Sequence, residues 1–155
     1  MFERIGYRSL VWLAIAILIA PRAAISADPA AGMVKIMAGT VRIERAGLSV
    51  PVQVGTLVMS QDKIMTGSDG AVGLTMADDT RLSAGPNSVL SLRQFAFDTT
   101  TFEGIFSLQI LKGTLRAVTG LIGRRSPGSV QYGTSTVTLG IRGTDFIVDV
   151  PGNEE

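Results

Sequence analysis

The chain has 155 residues, with 14 Lys or Arg against 13 Asp or Glu, and contains neither histidine nor cysteine. That absence excludes disulfides, thiol nucleophiles, a lipid-bearing cysteine, the usual zinc sites and Ser-His-Asp chemistry. The near-neutral balance lacks the clustered positive charge that phosphate neutralisation needs, so no nucleic-acid partner is expected.

The N-terminus is ordered like an export signal. Arg4 and Arg8 form a basic region, Leu10 to Ala20 is apolar, Pro21 breaks the run, and Ile25-Ser26-Ala27 offers a cleavage triplet before Asp28. The uncharged stretch between Arg8 and Arg22 spans about 20 Å as a helix, against a hydrocarbon core of about 30 Å. A cleavable signal peptide over 1–27 is therefore expected, with no stable membrane span after cleavage and a periplasmic or secreted product. Loss of Glu3, Arg4, Arg8 and Arg22 leaves 11 basic against 12 acidic groups. The rest is one domain's worth of chain. With no disulfide, its stability must rest on packing and hydrogen bonds, which suits the periplasm.

Residues 28–38 read as a flexible leader and a first strand at Val34–Met37. Thr40–Ile43 alternates apolar and polar residues, as a half-buried strand does. Val50–Val54, Thr56–Met59 and Lys63–Thr66 follow, before a turn at Gly67-Ser68-Asp69-Gly70. Ala71–Met76, Thr80–Leu82 and Val89–Arg93 are further strands, separated by turns at Asp78-Asp79 and Gly85–Ser88. Gln94–Gly104 is the least regular stretch and carries Phe95, Phe97 and Phe102. Strands are then expected at Phe106–Leu111, Thr114–Val118, Val130–Tyr132, Thr136–Ile141 and Asp145–Val150, with Arg124-Arg125 on a solvated turn. After the signal, no apolar pattern of helical period runs for ten residues or more, and 18 glycines in the chain weigh against helices. A weak echo, Gly-Thr-apolar-x-apolar, recurs at Gly39, Gly55 and Gly113, more loosely at Gly143. The fold expected is all-β, with short strands in a solenoid-like or sandwich-like stack whose edges a partner strand could join.

The segment Thr134–Phe146, followed by Ile147-Val148-Asp149-Val150, closely resembles the signature of the FecR domain family. Gly113-Thr114-Leu115-Arg116 adds to it, as do Pro51–Gly55, Asp62–Gly67, Asp69–Val72 and Gly85–Leu92 in the same order. The resemblance covers 39–150 and leaves 151–155 as a tail. Two departures are Ser135, where proline is usual, and Asp79, where an Asp-Gly turn is usual. The resemblance implies an all-β periplasmic module of bacterial signalling and cell-surface proteins. Its best-known members are inner-membrane sensors with a cytoplasmic segment that handles a sigma factor. This chain is expected to lack that anti-sigma segment.

The residues singled out for partner binding are Arg142, Asp145, Arg116 and Phe102. Arg142, flanked by Gly140 and Gly143, could anchor an acidic ligand through its planar fork. The rival reading has it pairing with Asp145, Asp149 or turn carbonyls. Phe102, beside a threonine tract, is the phenylalanine expected to be exposed, while Phe95 and Phe97 share an inward face. Asp78 and Asp79 are the best paired carboxylates, but neighbours on a strand point apart, so a solvated turn is expected instead of a glycosidase pair. Asp62, Asp69, Asp78 and Asp79 lack the spacing of a calcium loop. No catalytic residue, cofactor or metal is expected. The function expected is a non-catalytic envelope module that binds protein, with an outer-membrane receptor's periplasmic domain as one candidate. The alternative is a module that binds cell-wall glycan (peptidoglycan) or serves a structural role.

Overall fold

A computed structural model describes residues 29–139 and 145–152. The expected signal peptide and Arg142 lie outside the described residues. In chain order the elements are β1 (Gly32–Ala38), β2 (Val41–Arg45), β3 (Leu48–Val50), β4 (Leu57–Val58), β5 (Lys63–Thr66), β6 (Ala71–Met76) and β7 (Arg81–Ala84). Then come β8 (Val89–Phe97), β9 (Gly104–Val118), a short helix α1 (Leu121–Arg125), a 3-10 turn (Pro127–Ser129), β10 (Val130–Gly133), β11 (Thr138–Leu139) and β12 (Asp145–Val150). The fold is all-β, as the glycine-punctuated alternation predicts.

The strands form one curled, 12-stranded sheet. One lobe runs β12-β9-β7-β6-β1-β4, the other β3-β2-β5-β8-β9-β10-β11, and β9 belongs to both. Pairing is antiparallel except between β9 and β10. The curl lets both lobes bury one face in a single core that includes Ile43, Ile64, Leu82, Leu90, Leu108 and Leu115. Each such side chain contributes about 1.5–3 kcal/mol on burial.

How one strand serves two lobes is visible in its burial pattern. In β9, Phe106, Leu108 and Ile110 are buried, then Leu115 and Ala117, so the inward positions change from even to odd numbers. The change falls at Gly113, whose φ is +83°. A left-handed residue rotates the strand and re-aims its faces, as a bulge does. A Cβ there would lie 2.5 Å from the Ser88 Cα, so only glycine fits. Gly39 and Gly55, the other clear members of the Gly-Thr echo, also have positive φ, +58° and +93°. The echo marks left-handed backbone positions, turns at Gly39 and Gly55 and a pivot within β9 at Gly113, not a repeat.

Several expectations are corrected. Gln94–Gly104 is not irregular: β8 continues to Phe97, Asp98–Glu103 closes a hairpin, and β9 starts at Gly104. Phe106–Leu111 and Thr114–Val118 are one strand, not two. Val50–Val54 is largely loop, since β3 ends at Val50. Arg124 and Arg125 end a helix; Arg125 sits 5.0 Å from the Phe102 ring centroid.

Asp78 is fully buried, not solvated. Its carboxylate accepts from the Thr80 amide (3.1 Å), the Thr80 hydroxyl (2.8 Å) and the Ile122 amide (3.4 Å). Its carbonyl accepts from the Leu121 amide at 2.7 Å. One aspartate thus closes the β6–β7 turn and holds the start of α1, which drives Ile122 into the core. Asp79 keeps the geometry of the glycine that the resemblance leads one to expect, with φ +64°.

Candidate functional site

The candidate site is β12 and the face of β9 beside it. Period-2 alternation splits β12 cleanly: Phe146, Val148 and Val150 pack against the core, while Asp145, Ile147 and Asp149 face out. Phe146 is anchored edge-on to Tyr132, with ring centroids 4.7 Å apart. Outward-facing Ile147 is 67% exposed.

Pairing with β9 sets Asp145 opposite Val118 and Ile147 opposite Arg116. This diagonal brings two predicted residues together. Arg116 Nε donates to Asp145 Oδ1 at 3.1 Å, and Nη2 to Oδ2 at 2.7 Å. The bidentate hydrogen bond holds the Asp145 carboxyl below its ordinary range; the Arg116 charge and, from β7, the Arg81 charge act in the same direction. Farther along, the Thr114 hydroxyl donates to Asp149 Oδ1 at 3.0 Å. Among the described residues β12 pairs with β9 alone, so its other backbone edge is open. The other terminal strands β3, β4 and β11 have three, two and two residues, against six in β12. Among the described residues it is therefore the longest of the terminal strands.

Phe102 does not join this site. It lies at the β8–β9 hairpin tip, 37% exposed, with φ +59° and its ring 6.4 Å from that of Phe97. Such a backbone is costly for a bulky side chain. Sequence reasoning missed Ile147, Thr114 and Arg81. The alternation of Asp145–Val150 could have flagged Ile147; the cross-strand partners could not be found without the register.

The acidic residues weighed as catalytic or calcium-binding are dispersed. Asp62 is buried on Arg45, Asp78 is consumed by the turn and helix, and Asp69 accepts from the Thr40 amide at 3.2 Å. Among the described residues, no three Asp or Glu side chains come together as metal ligands, and no helix is long and apolar enough to cross a membrane.

A family model described as FecR protein matches residues 62–154, a span that includes the buried Asp78, the Gly113 pivot and β12. Neither curated proteins nor solved structures give a match. The family is one of regulatory and signalling domains, associated with iron-siderophore receptors and not known for catalysis. With more than half of the chain inside the match, and the all-β fold that the resemblance implies, this protein belongs to the FecR family.

Proposed function

We propose that the chain is a non-catalytic protein-binding module of the bacterial envelope, exported by a cleavable signal peptide, that engages its partner at the β12 edge. The periplasmic part of an outer-membrane receptor is the partner class that the family's signalling association favours. The observation that carries the reading is the open six-residue edge of β12, with exposed Ile147 between the charged positions Asp145 and Asp149. A sheet edge takes up an extended segment through main-chain hydrogen bonds, while alternate side chains supply specificity. Two acidic side chains on that edge discourage indiscriminate pairing.

The test is site-specific photocrosslinking in the cell, with the reactive group at Ile147 and, as a control, at Leu48 on the β3 edge, which is 71% exposed. A protein adduct at Ile147 that is absent at Leu48 and weakened by Asp149→Lys is expected. The same adducts at both positions would sink the edge reading. Retention on insoluble peptidoglycan with no adduct at Ile147 would favour the glycan-binding alternative.

A further inference from the structure

A second open strand edge lies on the other lobe, at the β8–β9 hairpin. Near its start β8 is paired on both sides, with β5 at Val89–Ser91 and with β9. The Gln61 amide then donates to the Leu92 carbonyl (2.8 Å), and the Leu92 amide to the Asp62 carbonyl (2.9 Å), where the neighbouring chain turns away. From Gln94 to Phe97, β8 keeps β9 on one side and, among the described residues, has no strand on the other. The Phe95 amide reaches across that open side to Ser60 Oγ at 3.2 Å. Two-residue alternation brings the Phe97 N–H and C=O to the same edge.

An open groove of about 960 Å³ adjoins this edge, with Ser60, Gln61, Phe97, Asp98 and Glu103 among the residues that line it. Among the described residues that line it, Asp98 and Glu103 are the charged ones, and none is Lys or Arg. Of the nearby cations, Arg93 is held on Gln109, and Arg125 borders the hairpin end of the groove, over the Phe102 ring and donating to the Thr101 carbonyl at 3.5 Å. Asp98 stays ionised, because its Oδ1 accepts from the amides of Thr101 (3.0 Å) and Thr100 (2.7 Å), which lowers its pKa. The aromatic rings are committed to the fold, Phe95 edge-on to Phe106 at 6.0 Å and Phe97 against Phe102 at 6.4 Å. The groove therefore offers main-chain groups and negative charge more than stacking faces.

We propose that this groove binds an extended, lysine- or arginine-bearing segment of a partner protein, which adds as a strand to the open edge of β8 between Gln94 and Phe97. The site is independent of the β12 edge, and either can fail without the other.

The test uses the purified protein and four probes: the hexapeptide acetyl-Lys-Val-Lys-Val-Lys-Val-amide, its fully N-methylated form, its Glu-for-Lys counterpart, and the trisaccharide of N-acetylglucosamine. Backbone amide NMR locates binding and fluorescence anisotropy measures it. The basic peptide is expected to shift the amides of Ser60, Gln61 and Gln94–Asp98, and to leave β12 unmoved. The N-methylated and acidic peptides should not bind. Glu103→Gln should weaken the basic peptide about threefold, the size of one exposed charge contact, and high salt should weaken it further. Asp98→Asn is less suitable, because its carboxylate also shapes the hairpin turn. No shift at millimolar basic peptide overturns the proposal, as does equal binding of the N-methylated form, which would mean charge adsorption alone. Shifts with the trisaccharide and none with the peptide overturn it in favour of a carbohydrate site.

Discussion

Two arginine–aspartate pairs have nearly the same geometry and opposite surroundings. Arg45 donates to Asp62 from Nε and Nη2, both at 2.8 Å, and Arg116 donates to Asp145 at 3.1 and 2.7 Å. The Asp62 side chain is 0% exposed and that of Arg45 is 37% exposed; Arg116 and Asp145 are 57% and 45% exposed. Asp62 also accepts from the Met59 amide, and Arg45 also donates to the Leu57 carbonyl, so the first pair ties β2, β4 and the turn before β5 into one unit. The second pair ties β9 to β12 on a wet face. Geometry alone does not set the worth of an ion pair; desolvation does. A buried carboxylate that loses its arginine is stranded, whereas an exposed one is rehydrated.

The first way to break this comparison is Arg45→Ala. It should cost about 2–3 kcal/mol of stability, somewhat below the loss at a fully buried pair because Arg45 itself is partly solvated. Urea denaturation measures it, and a loss under about 0.5 kcal/mol would mean that Asp62 finds water on its own. Next is Asp78→Ala, which asks whether an arginine matters at all. Asp78 is as buried as Asp62, but among the described residues its carboxylate is held by amides and a hydroxyl instead of an arginine. Its removal strands those donors, and about 2 kcal/mol should be lost. A loss much larger than that of Arg45→Ala would shift the emphasis from charge pairing to backbone capping. A smaller effect of opposite sign is expected next door. Asp79 is exposed and holds φ +64° after a turn closed by its amide on the Met76 carbonyl at 3.1 Å. Glycine takes that conformation without strain, so Asp79→Gly should stabilise by about 0.5 kcal/mol after the entropy of the freer unfolded chain is counted.

The sequence makes some of this legible. Ala71–Met76 and Asp145–Val150 are strands with the expected bounds, because strict alternation declares both the element and its faces. The single strand β9 is harder to see. Its apolar positions change parity at Gly113, and a pattern that breaks phase at a glycine reads as two strands with a turn between them. The helix at Leu121–Arg125 is too short for any periodicity to register, and it is held by tertiary hydrogen bonds that its Leu121 and Ile122 amides donate to Asp78. Arg116 and Asp145 were each marked by the family signature. Their pairing depends on the β9–β12 register, which long-range contacts set. Asp62 and Asp78 look like ordinary turn aspartates, since burial of a carboxylate becomes visible only once its donors are assembled around it.

The smallest effect in stability is the most specific in chemistry. Arg116→Ala should leave thermal stability at pH 7 unchanged within error, since both partners are solvated. Its signature is a titration. In the folded protein the Asp145 carboxyl titrates below its ordinary 3.8, chiefly through the Arg116 hydrogen bonds, with the Arg81 charge a lesser cause. A lowered folded value means that any stabilisation from the pair is present above the unfolded pKa and is lost as pH falls through the folded one. The window therefore lies below about pH 4; at neutral pH whatever the pair contributes is fully present and does not vary with pH. Carboxyl NMR should show the Asp145 midpoint rising towards 3.8 in Arg116→Ala, with a small residual lowering from Arg81. In the parent protein, high salt should move it the same way. A midpoint that stays low without Arg116 would show that another donor holds the carboxylate, and the contrast with Asp62 would collapse. A midpoint that recovers leaves Arg116 and Asp145 as a pair whose partners can be exchanged at little cost. That property suits residues beside an open edge: an incoming strand can take over either half of the bridge without unfolding what the bridge rests on.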